Sequence, residues 1–232
     1  MPTADPSVRA ERILDAAAHL IAHYGYDKTT VGDIAHEAGV SKGAVYLHWE
    51  SKDDLFEALL AREMKQLMAD LQARVEADPE GGTIPHLYRH ALQALVAKPF
   101  VKALFVRDAR VLGDWARRQG PPRSAQRFLF RQEYVRQMQE AGLLRADLSA
   151  KEMAFVFAVL SHGLLAVQAH LSREESLPLE ESISVLAEVV RRSLIPESPG
   201  DAELGKRALR QYLDEASGQL EARDSEARAR SL

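Results

Sequence analysis

The stretch Thr29–Lys52, TTVGDIAHEAGVSKGAVYLHWESK, constrains the fold of this chain more than any other segment. Thr30 precedes apolar residues at helical spacing and is a good helix N-cap, with an acid, Asp33, in the first turn. Gly39 marks a sharp turn, because glycine adopts a positive φ at little cost. Ser41 is then the cap of the next helix. The sequence therefore predicts two short helices, about Val31 to Ala38 and Lys42 to Trp49, joined by a tight turn.

This arrangement is typical of a helix-turn-helix unit, whose second helix lies in the major groove in DNA-binding proteins. An ordinary helical hairpin has the same caps and the same turn, so the pattern alone leaves both interpretations open. The predicted second helix begins with a cation, Lys42, followed by Gly43 and Ala44, which have little or no side chain. Such a start favours close approach to another molecule.

The chain resembles the TetR family of one-component transcriptional regulators from about Arg9 to Leu60. The matching residues follow the pattern TT-x2-DIA-x2-AGVS-x-G-x2-Y-x-H-x2-SK-x2-L. Gly32 stands where the family often has a polar or basic residue. Leu47 and Glu50 make the outer rim of the predicted DNA-binding unit less basic. The resemblance implies an N-terminal three-helix DNA-binding domain and a C-terminal helical domain for ligand binding and dimerisation.

The resemblance also implies which residues contact double-stranded DNA. Those expected to hold mainly phosphates are Thr29, Thr30, Tyr46, His48 and Lys52. Those expected to face base edges are Lys42, Gly43 and Ala44. A two-fold dimer with these contacts would bind an inverted-repeat operator.

Bulk charge does not favour DNA binding. The net charge is −4, and residues 1–60 contain ten acidic but only five basic side chains. The acids lie mainly at helix starts or away from the predicted recognition helix. Hydroxyls, backbone N–H groups and helix N-termini also hold phosphates, so the placement of donors supports the prediction where total charge does not.

The predicted location is the cytoplasm. The chain has no cysteine, which excludes disulfides and thiolate zinc sites and is compatible with a reducing compartment. The N-terminus lacks an apolar signal segment. Residues 153–171 carry no formal charge but include Ser161, His162 and Gln168, so we predict a buried helix there and no membrane span.

Helical patterning extends along the whole chain without internal repeats or strand-like alternation, which predicts an all-α fold. Turn-rich segments at 78–85, 113–124 and 195–201 separate the helices. The predicted domains are 1–51 for DNA binding, 52–199 for ligand binding and dimerisation, and 200–232 for a C-terminal amphipathic helix with a frayed tail. The long helix at 52–78 is expected to be shared by the first two domains and to couple them.

The second domain contains enough apolar and aromatic side chains for both a core and a pocket between helices. The candidate pocket residues are Leu67, His90, Phe105, Trp115, Phe128, Tyr134 and Phe157. Because most are uncharged, the expected effector is an apolar or aromatic small molecule. His86 and His90 are four residues apart, and two interpretations stay open: a partly buried polar pair, or part of the pocket.

We predict a homodimer through helices at about 149–171 and 178–195, which carry more apolar residues than one chain needs to bury. Small residues on the first helix would let partner helices approach closely, and two such pairs would form a four-helix interface. The candidate interface residues are Ala158, Ser161, Leu165, Leu186 and Val190.

No sequence motif indicates catalysis. The chain lacks a Gly-rich phosphate loop, a nucleophile elbow, H-E-x-x-H and Glu-x-x-His. His19 and His23 have metal-binding spacing but no evident third ligand, so no metal or other cofactor is expected. The sequence therefore favours a dimeric, ligand-responsive repressor that is not an enzyme. The alternative is a helical small-molecule-binding or enzymatic protein whose helix-turn-helix is only structural.

Overall fold

A computed structural model describes residues 6–118, 132–172 and 174–230. Within those residues there are helices and connections but no strand, which confirms the all-α fold class. The helices are α1 Pro6–Tyr24, α2 Val31–Glu37, α3 Lys42–Tyr46, α4 Lys52–Ala77, α5 Ile84–Val96, α6 Pro99–Phe105, α7 Ala109–Arg118, α8 Gln132–Glu140, α9 Ala150–His170, α10 Leu179–Leu194 and α11 Ala202–Arg230.

The helices form two compact units, and neither is continuous in sequence. The first comprises Met1–Lys65, Pro99–Pro122 and Gln219–Leu232, and the second comprises Gln66–Lys98 and Arg123–Gly218. This division differs from the three consecutive domains predicted from the sequence. The continuous helix α4 contributes its first half to the first unit and its second half to the second unit.

An aromatic cluster explains why α6 and α7 belong to the first unit. The Phe56 ring lies 4.8 Å from Tyr26, 5.1 Å from Phe100 and 4.6 Å from Trp115, and all four are buried. The aromatic residues of α6 and α7 thereby complete a core that the N-terminal helices leave unfinished. Edge-to-face pairs such as Phe56–Tyr26 and Phe56–Phe100 stabilise a core beyond the burial of their apolar area.

A glycine kink in α7 allows this packing. Gly113 has φ 51° and ψ −140°, and a Cβ at that position would overlap the carboxylate of Asp27. Both oxygens of that carboxylate lie 3.0 Å from the backbone nitrogen of Asp114 and accept its N–H. The predicted irregular segment at 113–124 thus begins with a real interruption, while its part beyond residue 118 lies outside the described residues.

In the second unit, α5 packs along α10 and contacts α9 through Tyr88. The Tyr88 and Phe157 rings are 5.6 Å apart, and the Tyr88 hydroxyl lies 3.3 Å from Oγ of Ser161. Burial is the main reason that the pKa of Tyr88 is raised to about 12. These contacts place the α5 face with Tyr88 at the centre of the second unit's core.

Helix α11 is part of that core over Ala202–Gly218 rather than a separate tail. Its Tyr212 ring stacks 4.6 Å from Tyr134 of α8, and Arg210 forms an ion pair with Glu76 of α4. The backbone of Gly205 packs directly against Gly82, leaving no room for a side chain. The helix continues to Arg230, beyond the predicted end near Leu220, so the predicted frayed tail is helical as far as Arg230.

The prediction that residues 153–171 form a buried helix is wrong for the single chain. The segment Ala150–Gln168 is long and apolar enough to cross a membrane, but only 22% of it is buried. Phe155 is 69% exposed, Val159 52% and Val167 51%, whereas Met153 and Phe157 are fully buried. Because one face of α9 fills the core, its opposite, apolar face lies on the surface.

Candidate nucleic-acid interface

Helix α2 begins with a reciprocal cap, as predicted. The Thr30 hydroxyl accepts the Asp33 N–H at 3.2 Å, and the Asp33 carboxylate accepts the Thr30 N–H at 2.9 Å and its hydroxyl at 2.7 Å. These hydrogen bonds lower the pKa of Asp33. They satisfy donors that a helix N-terminus otherwise leaves without partners. The start of the helix-turn-helix unit is therefore set by residues three positions apart.

The turn between α2 and α3 is also local. Gly39 has φ +63°, as predicted, and the Val40 N–H donates to the Ala35 carbonyl at 2.9 Å. Arg12 of α1 donates to the Ala38 carbonyl, the cap residue of α2. The guanidinium of Arg12 thus closes the C-terminal end of α2 from a neighbouring helix.

Helix α3 is short and leaves its first residues uncovered. The Ser41 hydroxyl accepts the Ala44 N–H at 3.2 Å, and the buried Val45 anchors the helix in the core. Lys42 and Gly43 are exposed, and Ala44 is half-buried. The helix ends at Tyr46, three residues before the predicted end at Trp49.

Nothing in the part of the chain that the structure describes requires glycine at position 43. A Cβ there would meet only Oγ of Ser41, at 3.9 Å, and the backbone does not have a positive φ. A glycine inside a helix costs about 0.5–1 kcal/mol relative to alanine. The residue therefore makes physical sense if something outside the chain approaches the backbone closely.

Two predicted phosphate contacts are engaged inside the first unit. Thr29 is buried, and its hydroxyl donates to the Gly25 carbonyl at 2.9 Å. The Lys52 ammonium donates to the Tyr26 carbonyl at 2.6 Å and lies 3.9 Å from the centre of the Tyr26 ring. Sequence reasoning missed both intrachain partners. For Lys52 the reason is distance, because Tyr26 precedes it by 26 residues.

The same Tyr26 belongs to a polar group that joins α4 to α7. Its hydroxyl donates to Asp53, and Arg118 donates to the two Asp53 oxygens at 2.9 and 3.2 Å. Burial, followed by the hydrogen bond to Asp53, raises the pKa of Tyr26 well above its usual value. Burial also lowers the pKa of Lys52. No local pattern could reveal this group, since Arg118 is 65 residues from Asp53.

The remaining predicted contacts lie at the surface of α3 and just beyond it. Tyr46 is 45% exposed, and the Lys42 ammonium lies 5.9 Å from the centre of its ring. His48 is half-buried beside Trp49, with ring centres 5.3 Å apart. Leu47 is 82% exposed. The structure thus brings Lys42, Gly43 and Tyr46 together on one short, uncovered helix.

Comparison with known proteins matches the segment that contains α2 and α3 to a family. The family model described as "Bacterial regulatory proteins, tetR family" matches residues 13–59, which include all of α2 and α3. An HTH-type transcriptional repressor of Mycobacterium tuberculosis is 30% identical over 193 residues, covering 81% of this chain and 95% of the relative. The chain belongs to the TetR family of transcriptional regulators.

Solved structures of TetR-family proteins share the fold beyond the matched segment. A putative TetR-family regulator from Rhodococcus sp. has a TM-score of 0.60 at 23% identity, covering 80% of this chain and 98% of that one. FadR from Bacillus subtilis, solved in complex with stearoyl-CoA, has a TM-score of 0.58 at 16% identity, covering 78% and 96%. At these identities the likeness shows the helical fold alone.

The candidate ligand-pocket residues of this TetR-family chain do not all lie in one unit. Phe105 and Trp115 belong to the first unit, where Trp115 packs on Phe56, and Phe128 lies outside the described residues. The residues that lie in the second unit are Leu67, His90, Tyr134 and Phe157. The seven-residue pocket therefore stays a prediction, of which the second unit contains four members.

The candidate dimer residues also divide. Ala158 is exposed and Leu186 half-buried, but Ser161, Leu165 and Val190 are buried inside their own chain. Helical spacing on α9 did not separate the two faces, because apolar residues surround the helix. The large apolar side chains that are exposed on α9 and α10 are Phe155, Val159, Val167, Val185 and Val189.

Proposed function

We propose that this TetR-family chain is a homodimeric repressor in the cytoplasm, which binds an inverted-repeat operator and is released by a small apolar or aromatic effector. The observation that carries the proposal is the uncovered start of α3. There a cation, a glycine that no described neighbour requires and a half-exposed tyrosine lie together within a helix-turn-helix unit. A helix of this kind enters the major groove in DNA-binding proteins.

The proposed base contacts are Lys42, Gly43 and Ala44. Lysine can donate to guanine O6 or N7, while the two small residues let the backbone approach the base edges. Thr30, Tyr46 and His48 are proposed to hold phosphates through hydroxyl, ring or backbone donors, which suits an acidic domain. Thr29 is removed from this set, because its hydroxyl is buried against Gly25.

Lys52 keeps a place in the proposal with a second role. An ammonium has three N–H donors, and one of them is used by the Tyr26 carbonyl. Lys52 is also the first residue of α4, and the positive end of a long helix favours a phosphate. We propose that its other donors reach the DNA backbone while the first holds the α1–α2 connection.

The exposed face of α9 and α10 supports the proposed homodimer. Large apolar side chains on both helices are exposed in the single chain, and large exposed apolar patches usually mark interfaces. On the same helix, a Cβ at Gly163 would meet no atom within 4 Å. A partner helix could therefore approach closely there without competing with the chain's own packing.

Tyr134 and Gln137 on α8 support a pocket in the second unit. The Tyr134 hydroxyl and Oε1 of Gln137 are buried and have no hydrogen-bond partner among the described residues. Buried polar atoms are normally paired, so unpaired ones within an apolar region suit the few polar anchors of a ligand site. Leu67 and Phe157 are buried apolar side chains in the same unit, and the stearoyl-CoA bound by FadR, which has a similar fold, carries a long apolar acyl chain.

A binding series on the gene's own upstream region tests the proposal. Fluorescence anisotropy would measure the wild type, Lys42→Ala and Lys52→Ala over a range of salt concentrations and over single-base variants of the site. Lys52→Ala should weaken all sequences alike and lower the salt slope by about one, because it removes one cation from the DNA backbone. Lys42→Ala should instead relax the preference at one base position by about 1–3 kcal/mol.

Failure would be visible in the same series. If the wild type shows no sequence preference on any enriched DNA, the repressor proposal is wrong. If Lys42→Ala weakens every sequence equally while Lys52→Ala changes the base preference, the two roles are reversed. Because Lys52 also contacts Tyr26, each variant is compared at a temperature where circular dichroism shows it to be folded.

A further inference from the structure

Three side chains at the junction of α4 and α5 converge on one point. Nδ1 of His86 lies 2.7 Å and Nε2 of His90 lies 2.8 Å from the same oxygen, Oδ2 of Asp78. The two histidines are four residues apart on α5, so their rings leave the same face of the helix. Asp78 directly follows the last residue of α4, and the ligand atoms of all three residues lie within 4.8 Å of one another.

We propose that Asp78, His86 and His90 bind a divalent metal ion of the Zn²⁺ type, with water as the fourth ligand. Two imidazoles and one carboxylate are a ligand set that suits zinc, and three protein ligands leave one position open. The proposal departs from the expectation that the chain binds no metal. That expectation considered His19 and His23 as possible metal ligands, and it did not combine His86 and His90 with Asp78, which lies in the preceding turn-rich segment.

The two nitrogen–oxygen distances require only a small adjustment. Zinc bonds of about 2.0–2.2 Å in a tetrahedral site separate neighbouring ligand atoms by about 3.3 Å. The two N···O separations here are 2.7 and 2.8 Å, so each must widen by roughly half an ångström. A rotation of the Asp78 side chain moves its oxygen relative to both nitrogens at once.

The proton balance also allows the exchange. Without an ion, both nitrogens that face Asp78 carry the protons donated to it. An ion uses the lone pairs of those nitrogens, so each neutral imidazole moves its proton to the other ring nitrogen. For His86 that nitrogen is Nε2, which lies 3.6 Å from Oε2 of Glu80. Glu80 is thus placed to accept the N–H of a metal-bound imidazole, as carboxylates often do.

The surroundings favour a cation. All three side chains are half-buried, which leaves a path for an ion and room for a water ligand. Although burial raises it, hydrogen bonds from His86 and His90 hold the pKa of Asp78 well below its usual value. The carboxylate is therefore charged at neutral pH. The bound ion would connect the end of α4 to α5 within the second unit.

The chain provides its own control. His19 and His23 have the same spacing on α1, but His19 is exposed and pairs with Glu37 at 3.2 Å. The three residues are not brought together as a metal-ligand group, whereas the α4–α5 cluster is. Since the chain has no cysteine, thiolates cannot contribute zinc binding elsewhere. A His19→Gln/His23→Gln double variant therefore removes a histidine pair of the same spacing outside the proposed site.

The test uses full-length protein without a histidine tag, stripped with a chelator and titrated with ZnCl₂ by calorimetry. The wild type should bind one ion per chain, and its unfolding temperature should rise by about 5 °C or more at zinc concentrations about 100-fold above Kd. Asp78→Asn and His90→Gln should each weaken binding more than Glu80→Gln, for which we expect about a 10-fold loss. The His19→Gln/His23→Gln variant should bind like the wild type.

The proposal is overturned if the wild type shows no saturable binding, or if Asp78→Asn and His90→Gln bind zinc as the wild type does. Loss of binding only in the His19→Gln/His23→Gln variant would equally overturn it. Circular dichroism checks each fold. Asp78→Asn is nearly isosteric and carries the test if His90→Gln unfolds. The outcome is independent of DNA binding, so failure here leaves the repressor proposal unchanged.

Discussion

The α2–α3 unit and helix α9 both leave one face uncovered by their own chain, but the two faces differ in chemistry. On α3 the uncovered residues are a lysine, a glycine and a half-exposed tyrosine. On α9 they are phenylalanine, valine and alanine. A polar surface with a close backbone suits a charged, hydrated partner such as DNA, whereas an apolar surface gains most from burial against another helix. Exposure therefore marks both proposed sites, and side-chain chemistry indicates the partner that we propose for each.

Of the changes that test this comparison, a side chain added to α3 should have the largest effect. Gly43→Leu should fold normally, because a Cβ there meets only Oγ of Ser41 and leucine is a better helix former than glycine. Operator affinity should fall about 10³-fold, the lower end of the gap between specific and non-specific binding. Anisotropy and thermal unfolding measure the two effects.

Gly218→Leu is the matched control for this substitution. Like Gly43, Gly218 lies in a helix, and a Cβ added at Gly218 would meet no atom within 4 Å. It should retain both stability and operator affinity. A Gly43→Leu protein that binds the operator as tightly as the Gly218→Leu protein would contradict the proposed close approach.

The apolar face should fail in a different way. Phe155→Asp combined with Val159→Asp should leave the folded chain intact, because both side chains are exposed in it. The dimer should lose about 3 kcal/mol or more of association free energy, since each apolar contact recurs across the two-fold axis. Light scattering over a concentration series would show the shift to monomer.

Val8→Asp is the control for the apolar face, because Val8 is 53% exposed but lies on α1. We expect its oligomeric state to match that of the wild type. A double α9 variant that remains dimeric at all concentrations would place the interface elsewhere.

Two neighbouring threonines separate folding from binding within the DNA-binding unit. Thr29→Val leaves the Gly25 carbonyl without its hydroxyl donor and should lower the free energy of unfolding by about 1–2 kcal/mol. Operator affinity of the folded protein should not change. Thr30→Val removes a helix cap, which costs about 1 kcal/mol, and should also weaken operator binding.

Urea unfolding and anisotropy together distinguish the two variants. The assignment of Thr29 to the core would be wrong if Thr29→Val weakened operator binding while leaving the urea midpoint unchanged.

The smallest effect concerns the two capping boxes, one in each region. Asp33 at α2 and Glu152 at α9 have pKa values lowered by hydrogen bonds from Thr30 and Ser149. The pKa of each carboxyl group is lower in the folded state than in the unfolded state, where it is 3.8 for Asp33 and 4.5 for Glu152. Each carboxylate therefore stabilises the fold fully when the pH is above its unfolded pKa. This stabilisation is lost as the pH falls through the lowered folded value.

Asp33→Asn and Glu152→Gln should therefore unfold slightly more easily than the wild type at pH 7, and the differences should disappear in strong acid. Urea midpoints between pH 7 and pH 2 measure this. A difference that grows as the pH falls would contradict the assigned hydrogen bonds.

The features that the sequence predicted correctly are those encoded over a few residues. The caps at Thr30 and Ser41 depend on hydrogen bonds three residues away, and the turn at Gly39 on one backbone conformation. Such interactions form wherever the local residues allow them, so their spacing can be read without knowledge of the rest of the fold. The all-α class and the family resemblance rest on the same kind of regularity.

What only the tertiary structure decided are the partners of distant side chains and the inward face of each apolar helix. Lys52 matches the family pattern, yet its ammonium is engaged by the carbonyl of Tyr26, 26 residues away. Ser161 and Val190 are buried in their own chain, although the sequence predicted them as interface residues. Helix α9 is apolar on every side, so periodicity cannot choose the side that faces the core. That choice depends on which helices pack against it, and long-range packing leaves no short signal in the sequence.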